Sequence, residues 1–251
     1  DVLNYSLTTP EAEGRLLAGE TEASEQAPYV QVLNKKENQD RSSLRRTLLG
    51  SLMENVATNH RERKRIALFE IGKVYLPEYS PESDDPGDEK LPLEVLRLAM
   101  ALSGPLEESS WKDAKPRNSS FHDLKGIIEV LLKKLHVKNI EFEPLQGTPY
   151  HPGVAAALLI DGKPAGTIGK VHPKVIEAYD LGKREVFVAE FDHELLLAAS
   201  QTNYPFRAFS SQPAVYQDLA LVVDDEVAAG AVMSTIREAA GELLTDISLF
   251  D

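Results

Sequence analysis

Two hydrophobic periodicities alternate along the chain and predict a mixture of helices and strands. Between residues 44 and 56, apolar side chains recur three to five positions apart, the spacing of one face of an α-helix. Ser42 or Ser43 is the expected N-cap, because a hydroxyl oxygen can accept a free amide proton of the first turn. Residues 66–75 then form an apolar run that predicts a buried strand. The opposite helix face is mildly polar, which suits a helix packed on more than one side: Thr47, Ser51, Glu54, Asn55 and Thr58.

Further along, the pattern predicts two β-hairpins. Residues 93–102 are apolar enough to return beside the strand at 66–75, with a proline-rich acidic loop at 77–88 between them. Asp161 and Gly162 separate two other apolar runs and tolerate the positive φ that a tight hairpin turn requires. An antiparallel sheet is therefore expected.

The remaining elements of the first 205 residues are short. Pro10 is expected in the first turn of a helix that follows a strand at 2–7, and Asp123 is expected to cap a helix running to Leu135. The other predicted elements are strands at 140–143 and 186–191 and helices at 173–179 and 193–199. This predicts an α+β protein.

The pattern after Arg207 predicts a strand, a helix and a second strand, at 218–223, 227–240 and 243–250. Two strands and one helix bury little apolar area against the entropy of ordering them. We therefore expect the sequence to end inside a domain, and its start at Asp1 without a methionine also suggests part of a longer protein.

Composition excludes several classes of function. The 251 residues carry a net charge of -13, which argues against binding nucleic acid through the overall electrostatic field. The absence of cysteine excludes disulfides and thiolate metal sites and is compatible with the cytoplasm. No apolar run approaches the roughly 18 residues of a membrane-spanning helix, so no membrane contact is expected.

Six segments, in this order and at these spacings, resemble the β subunit of bacterial-type phenylalanyl-tRNA synthetase. They are LRRTLLGSL at 44–52, LFEIGKVY at 68–75, FHDLKG at 121–126, HPG at 151–153, GKVHP at 169–173 and QPAVYQDLALVV at 212–223. The resemblance implies an antiparallel sheet with flanking helices, related to the class II aminoacyl-tRNA synthetase fold, over residues 1–205. Residues 206–251 would form the first β-α-β unit of a ferredoxin-like anticodon-binding domain.

The resemblance also implies partners. The α subunit of that family carries the active site, so ATP and magnesium are expected in the complete enzyme and no cofactor is expected in this part of it. The helix beginning near residue 44 would belong to the interface with the α subunit, and the isolated chain could self-associate through the same apolar face. The implied interface residues are Leu44, Leu48, Leu49, Leu52 and Val56.

The residues themselves argue against catalysis by this chain. A class II site needs arginines aimed at the ATP phosphates, because charge that develops at the α-phosphate must be neutralised. The strand-helix turn near residue 192 instead has Glu190, Asp192 and Glu194, which would repel phosphate. We therefore predict no catalytic residue.

Two other clusters are candidate sites. His122, His151 and His172 match no short metal-ligand spacing, so turn-stabilising imidazoles are the favoured interpretation and no metal site is predicted. The basic stretch after His60 could contact tRNA phosphates or acidic groups of the partner, or could be a solvated turn. Its cationic residues are Arg61, Arg63, Lys64 and Arg65.

Two rival functions remain open at this stage. One is a free-standing synthetase-like paralogue, enzymatic or regulatory, that binds a small ligand in a pocket between the hairpins. The other is a generic α+β interaction module without preference for a synthetase α subunit. Against these, the leading hypothesis is a non-catalytic part of phenylalanine-tRNA ligase that assembles with the α subunit and helps to bind tRNA.

Overall fold

The computed structural model describes residues 1–17, 29–31, 42–79, 92–111, 113–201 and 212–250. The chain divides into two compact units, Asp1–Tyr204 and Pro205–Asp251. None of the helices in the described ranges is both long and apolar enough to span a membrane.

The first unit is built on a six-stranded antiparallel sheet in the order β3-β4-β8-β7-β6-β5. Its strands are β3 (Ile66–Tyr79), β4 (Pro92–Ser103), β5 (Ile140–Pro144), β6 (Tyr150–Ile160), β7 (Lys163–Val171) and β8 (Val186–Asp192). A separate two-stranded sheet pairs β1 (Leu7–Thr8) with β2 (Ser43–Leu44). The helices of this unit are α1 (Pro10–Gly14), α2 (Leu49–Asn59), α3 (Phe121–Lys134), α4 (Pro173–Ala178) and α5 (His193–Ala199).

Both predicted hairpins are confirmed. β3 and β4 pair antiparallel with Phe69 opposite Met100, and most of the loop predicted between them lies outside the described residues. The β6–β7 turn uses Asp161 at φ 51° and Gly162 at φ 72°, the positive values that its sequence predicts. These two hairpins supply four of the six strands of the sheet in antiparallel order.

Alternate residues of each strand point to opposite faces of the sheet, and each face has its own core. On one face, α2 and α4 pack on apolar side chains such as Val74, Ala101 and Val188. On the other, α3 and α5 cover residues such as Leu158, Ile168 and Phe191. The sheet is thus a central layer between two sets of helices.

The predicted start of the second helix is wrong. α2 begins at Leu49, and neither Ser42 nor Ser43 caps it, because Ser43 pairs with Thr8 in the two-stranded sheet. The backbone N–H of Arg45 donates to the Ser6 carbonyl, and its carbonyl accepts from the N–H of Tyr75 in β3. These bonds keep the segment extended although its apolar spacing fits a helix.

The cap of α3 also differs from expectation by one turn. Ser120 is the N-cap, and Asp123 occupies the third helical position, where its Oδ2 accepts the Ser120 N–H at 2.7 Å. Asp123 therefore stabilises the helix start from inside the first turn, as in a capping box.

The second unit contains α6 (Ala229–Ala240) followed by a short 3-10 turn, Gly241–Leu243. The strands predicted at 218–223 and 243–250 are not formed in the described residues. An extended segment becomes a strand only when a neighbour accepts and donates its backbone hydrogen bonds. No described residue of this unit supplies such a neighbour, and the helix buries none of its residues.

Candidate functional site

A buried ion pair organises the segment that leads into α2. Arg45 Nη1 donates to Glu70 Oε1 at 2.8 Å, and the two side chains are 3% and 0% exposed. Arg45 Nε also donates to the Lys73 carbonyl, and Glu70 Oε2 accepts from the Asn4 amide at 2.7 Å. The pair therefore joins the N-terminal segment, the segment before α2, and β3.

Gly72 makes room for this pair. A Cβ atom at residue 72 would lie 2.3 Å from Arg45 Nη2, a separation at which the guanidinium must move. The glycine in the motif at 68–75 is therefore required by the close approach of Arg45 to β3.

The next arginine is held by a second carboxylate. Arg46 donates its backbone N–H to Glu13 Oε1 at 2.8 Å and its Nη2 to the Tyr29 hydroxyl at 2.7 Å. Its guanidinium also lies over the Tyr29 ring, 3.8 Å from the centroid. Burial raises the pKa of Glu13, against the opposing effect of Arg46.

A third carboxylate caps the start of α2. Glu190 Oε1 accepts the Leu48 N–H at 2.6 Å and the Thr47 hydroxyl at 2.9 Å. Free N–H groups and the positive end of the helix dipole make this a favourable position for an anion. Burial nevertheless raises the pKa of Glu190, although both hydrogen bonds favour its charged form.

Glu190 and a second carboxylate at the end of β8, that of Asp192, both cap helices. Asp192 Oδ1 accepts the Leu195 N–H at 3.0 Å at the start of α5, and its other oxygen lies 4.0 Å from Arg97. Two of the three carboxylates predicted to repel phosphate thus hold backbone N–H groups of this chain. The turn offers protein carboxylates where a nucleotide phosphate would need cations.

The predicted interface side chains lie in the core. Leu48, Leu52 and Val56 are 0% exposed and Leu49 is 4% exposed, all in the cluster between α2 and the sheet. The interpretation of this apolar face as an exposed surface is therefore wrong, because the face packs on the chain's own strands. Leu44 lies on β2 and is half-buried. The outer face of α2, which includes Glu54 and Thr58, is the face open to solvent.

The predicted basic residues form an exposed turn between α2 and β3. Arg61 pairs with Asp180 at 3.4 Å, and Arg65 Nε donates to the Leu106 carbonyl at 3.0 Å. Arg63 and Lys64 remain exposed.

Sequence reasoning missed Arg184, which organises this turn from a distant loop. Its two terminal nitrogens donate to the carbonyls of His60, Arg63 and Lys64 at 2.9–3.3 Å. Nothing in the local sequence signals a contact with residues 120 or more positions earlier.

The three histidines form no metal centre. His151 and His172 have ring centroids 6.4 Å apart, and His172 caps α4 by accepting the Lys174 N–H. Among the described residues, no group of three or more potential ligands could hold a metal ion.

Comparison with known proteins identifies the family. Residues 1–193 match the model of the phenylalanyl-tRNA synthetase β chain CLM domain, and residues 210–251 match the ferredoxin-fold anticodon-binding domain. The chain belongs to the phenylalanyl-tRNA synthetase β chain family. The resemblance carried by the six segments is confirmed, including the assignment of the second unit to a ferredoxin-fold domain.

Curated relatives agree with this assignment. The phenylalanine-tRNA ligase β subunits of Symbiobacterium thermophilum and Bacillus subtilis are each 36% identical, over 100% and 85% of the chain. That of Streptococcus pyogenes serotype M18 is 31% identical over the whole chain. The chain spans 26–30% of the length of these relatives.

Solved structures support the fold. A pyrrolysyl-tRNA synthetase from Desulfitobacterium hafniense superposes with a TM-score of 0.53 at 19% identity, covering 78% of this chain and 60% of that one. A second structure of the enzyme from this organism gives a TM-score of 0.52 at 18% identity, covering 78% of this chain and 61% of that one. The predicted class II synthetase-like fold is thereby confirmed for a β-chain module.

Proposed function

We propose that this chain is a non-catalytic part of the β subunit of a phenylalanine-tRNA ligase. It supports ATP-dependent attachment of phenylalanine to tRNA in the cytoplasm by assembling with a catalytic α subunit and by contacting tRNA. The family match over residues 1–193 supports the choice of enzyme. ATP and magnesium act at the α subunit in this proposal.

The observation that carries the non-catalytic role is the pair of helix-capping carboxylates at the end of β8. Glu190 and Asp192, at the end of β8, cap α2 and α5, so both carboxylates are bonded to backbone N–H groups of this chain. A phosphoryl group brought there would meet carboxyl groups rather than the cations that neutralise its charge. No step with ATP is therefore assigned to this chain.

The surface proposed for the α subunit is the outer face of α2, since the inner face is core. Glu54 and Thr58 are exposed there, and Ser51 is half-buried. Contact through such a mildly polar face depends on shape and hydrogen bonds more than on apolar burial. The basic turn at residues 61–65 is the part proposed to face tRNA.

Mixing this chain with the α subunit from the same organism tests the proposal. Sedimentation velocity is expected to show a mixed complex, and the chain alone is expected to show no ATP-pyrophosphate exchange. Absence of a complex, or exchange by the chain alone, would overturn the proposal.

Paired variants test the surface. Glu54→Arg/Thr58→Arg is expected to weaken the complex without changing the circular dichroism of the chain. The control, Glu129→Arg/Val130→Arg, makes the same charge change on the exposed face of α3 and is expected to leave the complex intact. Equal weakening by both variants would count against the α2 surface.

A further inference from the structure

A concave pocket of about 480 Å³ lies at the end of the sheet where the basic turn meets the loop before β8. It collects residues from four separate segments: Lys64, Gly104, Pro105, Asn118, Ser119, Lys183, Arg184 and Glu185. These segments are far apart in sequence and meet because β4 ends and β8 begins at the same end of the sheet, where Ser103 pairs with Val186.

The walls of the pocket are held by contacts within the chain. Arg184 donates its guanidinium N–H groups to the carbonyls of His60, Arg63 and Lys64, and so fixes the basic turn on one side. Gly104, at φ 83°, lies against the same Lys64 carbonyl, so closely that a Cβ would be 1.9 Å from its oxygen. The buried hydroxyl of Ser119 donates to the Gly104 carbonyl at 2.8 Å. These contacts hold the pocket walls in place before any ligand arrives.

The pocket also has unneutralised positive charge. Lys64 and Lys183 line it with exposed side chains, and within the described residues neither makes an ion pair. Among the described lining residues the one acidic side chain is Glu185, and its carboxylate forms an ion pair with Lys170. Two lysines are thus left facing a concave surface on a chain of net charge -13.

The lining indicates which anion fits. The described residues that line the pocket include no aromatic or large apolar side chain on which a base could stack. Lysine ammonium groups and the exposed Asn118 amide instead suit phosphate oxygens. We propose that this pocket binds a phosphate group of an RNA backbone, with Lys64 and Lys183 as the charged ligands. The phosphate chemistry follows from the pocket, and the choice of RNA as its source rests on the proposed function.

Salt-dependent binding tests the pocket in the full chain. The fluorescence anisotropy of labelled tRNA specific for phenylalanine is followed at several KCl concentrations for the chain and for Lys64→Gln/Lys183→Gln. Each phosphate that the protein no longer neutralises is expected to reduce the slope of log Kobs against log[salt] by about one. The double variant loses the one proposed phosphate contact, so its slope is expected to be smaller by about one. Inorganic pyrophosphate, added at constant ionic strength, is expected to displace the tRNA from the unmodified chain.

A matched control removes the same charge elsewhere. Lys138 and Lys163 are exposed, and Lys163 begins β7 at the opposite end of the sheet from the pocket. Lys138→Gln/Lys163→Gln is expected to keep the slope of the unmodified chain. Equal salt-dependence slopes for the two double variants would show a general effect of charge and would overturn the proposed phosphate site.

Two further outcomes separate the phosphate source. If pyrophosphate binds in a manner that depends on both lysines while tRNA does not bind, the pocket accepts free phosphates and the RNA assignment is overturned. If neither binds through these lysines, the whole inference fails. Either failure is distinguishable from failure of the proposed function, which is tested separately by complex formation with the α subunit.

Discussion

The guanidinium of Arg45 and the carboxylate of Glu70 form an ion pair at 2.8 Å with almost no exposure to solvent. Leaving one buried charge without its partner costs about 3–5 kcal/mol, whereas replacing both by apolar residues often costs little. We therefore expect Glu70→Leu and Arg45→Met each to lower the free energy of unfolding by about that amount.

The double variant Arg45→Met/Glu70→Leu is expected to lose less than the sum of the two single losses, by at least about 1 kcal/mol. Urea unfolding of the four chains measures this coupling. Losses that add within about 0.5 kcal/mol would contradict an energetic role for the pair.

Two glycine-to-alanine changes should have opposite effects. At Gly72 the new Cβ displaces the Arg45 guanidinium, and overpacking of this kind costs about 1–3 kcal/mol. At Gly126, inside α3, a Cβ meets nothing within 4 Å, so alanine is expected to stabilise by about 1 kcal/mol through helix propensity. Thermal unfolding of both variants checks the signs, and a stabilising Gly72→Ala would refute the close approach.

The core position of Leu52 predicts loss of folding rather than loss of association. Leu52→Asp buries an unpaired charge and is expected to cost more than about 4 kcal/mol. Thr58→Asp puts the same carboxylate on the exposed face of the same helix and is expected to change stability by only about 0.5 kcal/mol. Circular dichroism in urea distinguishes the two, and a folded Leu52→Asp chain would restore the interface interpretation.

Glu190 is expected to contribute to the stability of the folded chain, and this contribution is expected to weaken as pH rises. Burial raises its pKa in the folded chain above 4.5, so the folded state holds this proton more tightly than the unfolded state. The stabilisation is complete below about pH 4.5 and is lost as pH rises through the folded pKa. The unfolding free energy of the unmodified chain minus that of Glu190→Gln should therefore decrease as pH rises above about 4.5.

Asp123 serves as a control, because its contribution to stability is expected to change with pH in the opposite direction. The Arg117 guanidinium, followed by Ser120, holds the pKa of Asp123 well below its usual range. Its stabilisation is therefore present above its unfolded pKa, about 4, and is lost as pH falls. The unfolding free energy of the unmodified chain minus that of Asp123→Asn should therefore decrease as pH falls. If the differences for Glu190 and Asp123 changed with pH in the same direction, one of the two environments would be contradicted.

The predictions that succeeded depend on neighbours in sequence. The turn at Asp161 and Gly162 is set by two residues that tolerate positive φ, and the β3–β4 hairpin by two apolar runs joined by a loop. The strand order could not be derived in this way. β8 lies between β4 and β7, a placement fixed by pairings across the whole sheet.

The start of α2 was predicted wrongly because it, too, depends on contacts that are distant in sequence. Its sequence has helical spacing from residue 44, but the extended backbone there is hydrogen-bonded to Ser6 and Tyr75. The side chains of Arg45 and Arg46 pair with Glu70 and Glu13. None of these partners lies within a helical turn of it. Only one of the two lysines of the candidate pocket could be predicted from the sequence. Lys64 belongs to the basic stretch after His60, whereas Lys183 is distant in sequence and meets it only in the folded chain.

The central position of β8 also has a consequence during protein synthesis. β8 is the last strand of the large sheet to be translated, so on the ribosome β4 and β7 each lack a neighbour until Asp192 has emerged. Strand edges in this state are open to pairing with other chains. Nascent chains halted before Val186 should therefore recruit chaperones and aggregate more readily than chains halted after α5.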